Sequence, residues 1–113
     1  MACLFCQIAA GDIPSTVVYQ SEGVTAFRDI APQTPTHILV IPDRHIGGVA
    51  DVTTGDEELI GRLIRVAGEI ARQEGIEAAG YRLVINQGED AGQSVPHLHV
   101  HVLGGRPLPL SLA

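Results

Sequence analysis

A chain of 113 residues in which 45% of side chains are apolar is long enough for one domain with its own core. No apolar run reaches the roughly 18 residues that a membrane-spanning helix needs, so neither disorder nor membrane insertion is expected. The formal net charge of −6 argues against a basic, phosphate-neutralising face and hence against nucleic-acid binding, although a local pocket can still hold a small anion. No basic stretch precedes an apolar core at the N-terminus. The only cysteines, Cys3 and Cys6, have C-x-x-C spacing, which points to metal or redox chemistry in a cytoplasmic protein before a structural disulfide.

In chain order, residues 4–10 show short helical spacing that stops at Gly11. Val17–Tyr19 and Val24–Arg28 read as short strands around the turn Ser21-Glu22-Gly23. Asp29–Thr36 carries two prolines and reads as a loop, followed by an apolar strand, His37–Ile41, closed by Pro42. Thr54-Gly55-Asp56-Glu57 fits a capping box. The set Leu59, Ile60, Leu63, Ile64, Ala67, Ile70 and Ala71 then keeps the helical period until Gly75. Tyr81–Asn86 reads as a strand, Gln87–Ser94 as a polar loop, and Val95–Leu103 as a last strand closed by Gly104-Gly105. One long helix, a short N-terminal helix and about five strands make an α+β fold. Its connections are mostly too short for parallel crossovers, so the sheet is expected to be mainly antiparallel, within a single domain spanning residues 1–113.

The segment His97-Leu98-His99-Val100-His101-Val102-Leu103 holds three of the five histidines. On a strand these three line one face, about 7 Å apart, while Leu98, Val100 and Val102 face a core. Three readings are open: an exposed polar face, a three-histidine metal site, or phosphoryl chemistry with one imidazole as nucleophile. The preceding loop, Gly88-Glu89-Asp90-Ala91-Gly92-Gln93-Ser94, offers backbone N–H groups, an amide and a hydroxyl suited to phosphate oxygens, and Asn86 can add a donor. Beside the histidine strand, an anion site becomes more plausible than an ordinary turn.

Asn86 together with Gly92–Arg106 resembles the signature of the histidine-triad (HIT) superfamily, most of all its phosphoramidase branch. Supporting stretches are Phe5–Ile8, Phe27–Ile30, Pro35–Pro42 and Arg44–Ile46, so the resemblance runs from about Cys3 to Arg106. It implies that His99 is the nucleophile toward the α-phosphorus of a purine nucleotide, backed by the carbonyl of His97. It implies that His37 supports the site, that His101 contacts phosphate, and that Ser94 lies beside the leaving group. Asn86, Gly92 and Gln93 match phosphate contacts, and Asp29 matches a ribose-binding carboxylate, against which stands a plain turn-forming role. Leu4, Phe5, Ile8, Phe27 and Ile30 match a base pocket, with core packing as the competing role. The resemblance also implies a homodimer with two sheets joined into one.

Some family members carry zinc on a set matching Cys3, Cys6, His45 and His97, so a structural zinc ion is expected, against two plain reduced thiols. The sequence departs from the branch in its tail, Pro107–Ala113, in a chain with no tryptophan. That departure leaves the leaving-group preference open, and the apolar tail suits a subunit interface. The implied activity is hydrolysis of purine nucleoside 5′-phosphoramidates. Cleavage of dinucleoside polyphosphates and a non-enzymatic nucleotide-binding role are the alternatives.

Overall fold

The structure, a computed structural model, describes residues 3–110. Its elements in chain order are α1 (Leu4–Ala9), β1 (Val17–Ser21), β2 (Val24–Arg28), β3 (Thr36–Pro42), α2 (Glu57–Gln73), β4 (Tyr81–Val84) and β5 (Val100–Gly104). The strands form one sheet in the order β1-β2-β3-β5-β4, and every neighbouring pair is antiparallel. This is the expected α+β arrangement. The β1–β2 hairpin closes at Glu22-Gly23, whose φ values of 52° and 80° both lie in the left-handed region that a two-residue hairpin turn requires. No described helix is long and apolar enough to cross a membrane.

The sheet divides the interior in two. On one side α2 presents Leu63, Val66, Ala67, Ile70 and Ala71 to Val24 and Ala26 of β2, Ile38 and Val40 of β3, and Val100 and Val102 of β5. On the other side Phe5 and Ile8 of α1 pack with Phe27, Leu39 and Ile41. Side chains alternate across a strand, so β3 and β5 give one set to each side. That alternation sends His37 and His101 away from α2. Leu39 pairs with His101 and His37 with Leu103, so the two histidines are diagonal neighbours on the sheet.

Four expectations about elements need correction. The last strand starts at Val100, not Val95, because the chain through Pro96 makes a tight turn (His97 N–H to the Val95 carbonyl, 2.8 Å) and Leu98 N–H bonds the Ile46 carbonyl at 2.6 Å instead of a ladder partner. In the β4–β5 register Val84 lies opposite His101, so Asn86 would fall opposite His99, ahead of the start of β5, and β4 ends at Val84, short of Asn86. The capping box sits one residue earlier than expected. Thr53 and Asp56 form it, with the Asp56 carboxylate accepting from Thr53 N–H at 2.9 Å and also paired to Arg44, and a 3-10 turn over Thr54–Asp56 leads into α2. Ile64, in the periodic set, is 45% exposed on the flank of α2, and Val66 takes a core place instead.

Leu63 is buried at the centre of the α2 contact. Leu63→Ala is expected to lower unfolding free energy by about 2–5 kcal/mol in denaturant titrations while leaving the opposite face of the sheet intact. A loss near zero would contradict this packing.

Candidate functional site

On the face of the sheet away from α2 lies a cleft of about 360 Å3. Phe5, Ile8, Phe27 and Leu39 form its apolar wall, with Phe5 edge-on to Phe27 at 5.3 Å. Asp29 and Ile30 stand at one side, and Ser94, His99 and His101 at another. The structure thus brings together Leu4, Phe5, Ile8, Phe27, Asp29, Ile30, Ser94, His99 and His101. Core packing does not account for Ile30, which is 98% exposed at the rim, whereas Phe5, Ile8 and Phe27 are both wall and core.

Sequence reasoning missed Ile13, Pro14, Ser15, Arg28, Leu39 and Val95, which also line the cleft. Leu39 follows from its two-residue spacing to His37. The others sit in loops or at a strand end and carry no periodic signal. The Arg28 guanidinium is held away in two bonds to the Glu74 carboxylate, both 2.9 Å.

Asn86, Gly92 and Gln93 lie outside the cleft lining, and their donors are engaged by carbonyls within the loop and, for the Gln93 amide, by Val95 and by Gly47 on the chain before α2. Asn86 donates to the Ala91 carbonyl (2.8 Å), Gly92 N–H to Glu89 (3.0 Å) and Gln93 N–H to Gly88 (3.1 Å). The Gln93 amide accepts from Gly88 N–H and donates to the carbonyls of Gly47 and Val95. Gly92, at φ 80°, supplies the left-handed residue that lets the loop fold back. These residues shape the loop, whereas Ser94 is the one that reaches the cleft.

His99 is 5% exposed, and its Nδ1 lies 2.7 Å from the His97 carbonyl. A carbonyl only accepts, so Nδ1 carries the proton and Nε2 keeps the lone pair. Phe5 meets the ring edge-on at 5.2 Å, and His101 is 5.0 Å away. His101 Nδ1 lies 2.9 Å from His37 Nε2, which is also 3.5 Å from Asp29 Oδ2. The other Asp29 oxygen accepts from Ala31 N–H at 2.8 Å, so Asp29 both forms its turn and faces the histidines.

His97 leaves the face it was expected to share with His99 and His101, because it precedes β5. Its ring is fully buried, with Nε2–H donating to the Pro42 carbonyl at 2.8 Å. Nδ1 therefore keeps its lone pair. It points at Cys3 Sγ (3.3 Å) and Cys6 Sγ (3.5 Å), and His45 Nδ1 lies 3.4 Å from Cys6 Sγ. One atom from each of the four residues falls within 4.8 Å of every other. Around a tetrahedral metal with ordinary thiolate and imidazole bond lengths, neighbouring sulfur and nitrogen ligands sit about 3.5 Å apart. The donor set fits such an ion, and the Pro42 carbonyl supplies the outer hydrogen bond that fixes a ligating histidine.

The HIT domain family profile matches residues 10–108. The chain is 54% identical over 110 residues to the purine nucleoside phosphoramidase of Escherichia coli (strain K12), covering 97% of this chain and 92% of that protein. It is 52% identical over 107 residues to the 14 kDa zinc-binding protein of Zea mays, covering 93% and 83% respectively. Among solved structures, the HIT family hydrolase from Legionella pneumophila Philadelphia 1 superposes with a TM-score of 0.95 at 48% identity, covering 96% of this chain and 97% of that one.

Burial lowers the proton affinity of three imidazoles. His101 is pushed down to about 4 by burial first and then by neighbouring His99 and His37, with Asp29 opposing. His37 and His97 are also lowered, chiefly by burial. In the unfolded chain these groups titrate near 6.5. Below about pH 6.5 the unfolded state therefore takes up protons that the folded state refuses, and stability falls, for His101 until about pH 4. The Asp56 carboxyl, held below its ordinary range by Thr53 N–H and Arg44, is lost only below that window. Thermal melts from pH 8 to 4 are expected to show a falling Tm that is shallower in His101→Gln. An equal acid limb in the two proteins would contradict this burial.

Proposed function

The chain belongs to the HIT domain family, and on that premise we propose that it hydrolyses the P–N bond of purine nucleoside 5′-phosphoramidates through a nucleotidyl intermediate on His99. The observation that carries the reading is the 2.7 Å bond from His99 Nδ1–H to the His97 carbonyl, within a cleft that also offers an apolar wall and a carboxylate. A purine base lies against Phe5, Ile8 and Phe27, and Asp29 accepts from the ribose hydroxyls. The His99 Nε2 lone pair attacks the α-phosphorus and forms an N–P bond. The P–N bond to the amine breaks, and the amine leaves with the bonding pair and a proton that solvent delivers past the Ser94 hydroxyl. Positive charge developing on the imidazole is stabilised at Nδ1–H by the carbonyl behind it. Water then attacks phosphorus, the N–P pair returns to Nε2, and the nucleoside monophosphate departs.

The E. coli relative's name supports this substrate class, and the maize relative's name supports zinc on Cys3, Cys6, His45 and His97. Four protein ligands leave no open position, so the bound ion supplies a cross-link between the N-terminal segment and the chain leading into β5. A homodimer is also part of this reading. It is supported by the open β4 edge and by Val49, Ile64 and Ile85 exposed together around one apolar groove. The apolar tail assigned to such an interface continues into Ser111, Leu112 and Ala113, which lie outside the described residues.

A fluorogenic adenosine phosphoramidate and a diadenosine polyphosphate, compared by kcat/KM, test the function. The phosphoramidate is expected to be the better substrate, and His99→Ala to lose at least about 1,000-fold in kcat while still binding AMP. Wild-type protein that turns over neither compound would overturn the enzymatic reading. For the metal, elemental analysis is expected to find one zinc per chain, and Cys3→Ser is expected to lower Tm more than it lowers kcat. Zinc-free wild-type protein with the Tm of Cys3→Ser would contradict it.

A further inference from the structure

We propose that the backbone N–H of Gln33 sets the tautomers of His37 and His101 in series, so that His101 meets the substrate as a neutral hydrogen-bond donor. Gln33 N–H lies 3.0 Å from His37 Nδ1. An amide N–H only donates, so His37 Nδ1 holds a lone pair, and the single proton of the neutral ring sits on Nε2. That Nε2–H faces His101 Nδ1 at 2.9 Å and the Asp29 carboxylate at 3.5 Å, two groups that accept. His101 Nδ1 must then hold a lone pair too, and its proton sits on Nε2. That nitrogen has no partner among the described residues, on a ring that lines the cleft.

A second proton on either ring would set donor against donor, at Gln33 N–H or at His37 Nε2–H. The direction in which burial moves both imidazoles agrees, since both favour the neutral form. The loop that carries Gln33 is held from outside the site. Arg106 donates to the Gln33 carbonyl at 3.1 Å, Pro32 and Pro35 flank the residue, and the Gly105 backbone comes so close that a Cβ there would lie 2.8 Å from Pro35.

The consequence is a reversal of polarity between adjacent rings. His99 is backed by a carbonyl and shows the cleft a lone pair, whereas His101, 5.0 Å away, is backed through His37 by an N–H and shows a donor. On the proposed phosphoryl chemistry, a lone pair attacks phosphorus while an N–H holds a phosphoryl oxygen. The opposite tautomer of His101 would set a lone pair against that anionic oxygen. Gln33 is thus a positioning residue that acts through its main chain, which no side-chain pattern would disclose.

Long-range nitrogen-15 NMR correlations of the imidazoles in the wild-type protein, near neutral pH and without substrate, read the tautomers directly. His37 and His101 are expected as Nε2–H and His99 as Nδ1–H. A wild-type His101 with its proton on Nδ1 overturns the proposal, whether or not any phosphoramidate is turned over, so this result is separable from failure of the proposed reaction. Gln33→Pro removes the N–H and Gln33→Ala keeps it. The proline variant is expected to show mixed tautomers at His37 and His101 and a kcat about 10- to 100-fold lower with KM little changed. The alanine variant is expected to keep both tautomers. Unmixed tautomers in a folded Gln33→Pro would overturn the proposal, and if that variant fails to fold, the wild-type spectrum decides.

Discussion

The arrangement depends on one fully buried residue, His97, whose two ring nitrogens and main-chain carbonyl point in three directions and are all engaged. Nε2–H reaches the Pro42 carbonyl, Nδ1 faces the two thiols, and the main-chain carbonyl receives His99 Nδ1–H. Moving the ring would break two of these contacts, and moving the backbone would release His99. A neutral hydrogen bond such as that between His99 and the His97 carbonyl contributes only about 1 kcal/mol net to folding. Burying one of the valines behind it contributes about 1.5–3 kcal/mol. The bond therefore matters less for holding the fold than for deciding which nitrogen of His99 is available.

Apolar burial keeps that decision in place. Val100 and Val102 pack toward α2 and fix the orientation of β5, so His101, between them in sequence, must face the cleft. Phe5 belongs to the cluster on the side of the sheet away from α2 and also touches the rings of both His97 and His99. The short helix α1 thus connects the proposed metal set, through Cys3 and Cys6 at its start, to the wall against which a base would lie. A metal on those thiols would act on the reaction through the position of α1 and of His97, with no part in the bond-making steps.

Much of this was readable in advance because it rests on local pattern. The helical period of α2, the alternation around Val100 and Val102, and the C-x-x-C spacing are properties of neighbouring residues. Pattern and structure part where backbone hydrogen bonds that no side-chain pattern encodes take over. The period-two pattern carried the last strand back to Val95, but Leu98 bonds Ile46 and turns His97 out of register with His99 and His101. Gln93 and Gly92 match phosphate ligands by type, and in the structure their donors are engaged by the carbonyls of Gly88, Glu89, Val95 and Gly47, partners that residue type alone does not disclose. Alternation assigns Leu39 to the same face as His37 without saying which face bears the cleft. The backbone partners of His37, His97 and His99 are invisible to side-chain patterns, and they determine what each imidazole can do.

The most direct test is mass spectrometry of a reaction with an adenosine phosphoramidate, quenched within the first turnovers and digested. The account predicts an adenylyl group on the peptide containing His99, attached at that imidazole and absent in His99→Ala. Steady turnover with no adduct at any quench time, or an adduct on His101 instead, would contradict it.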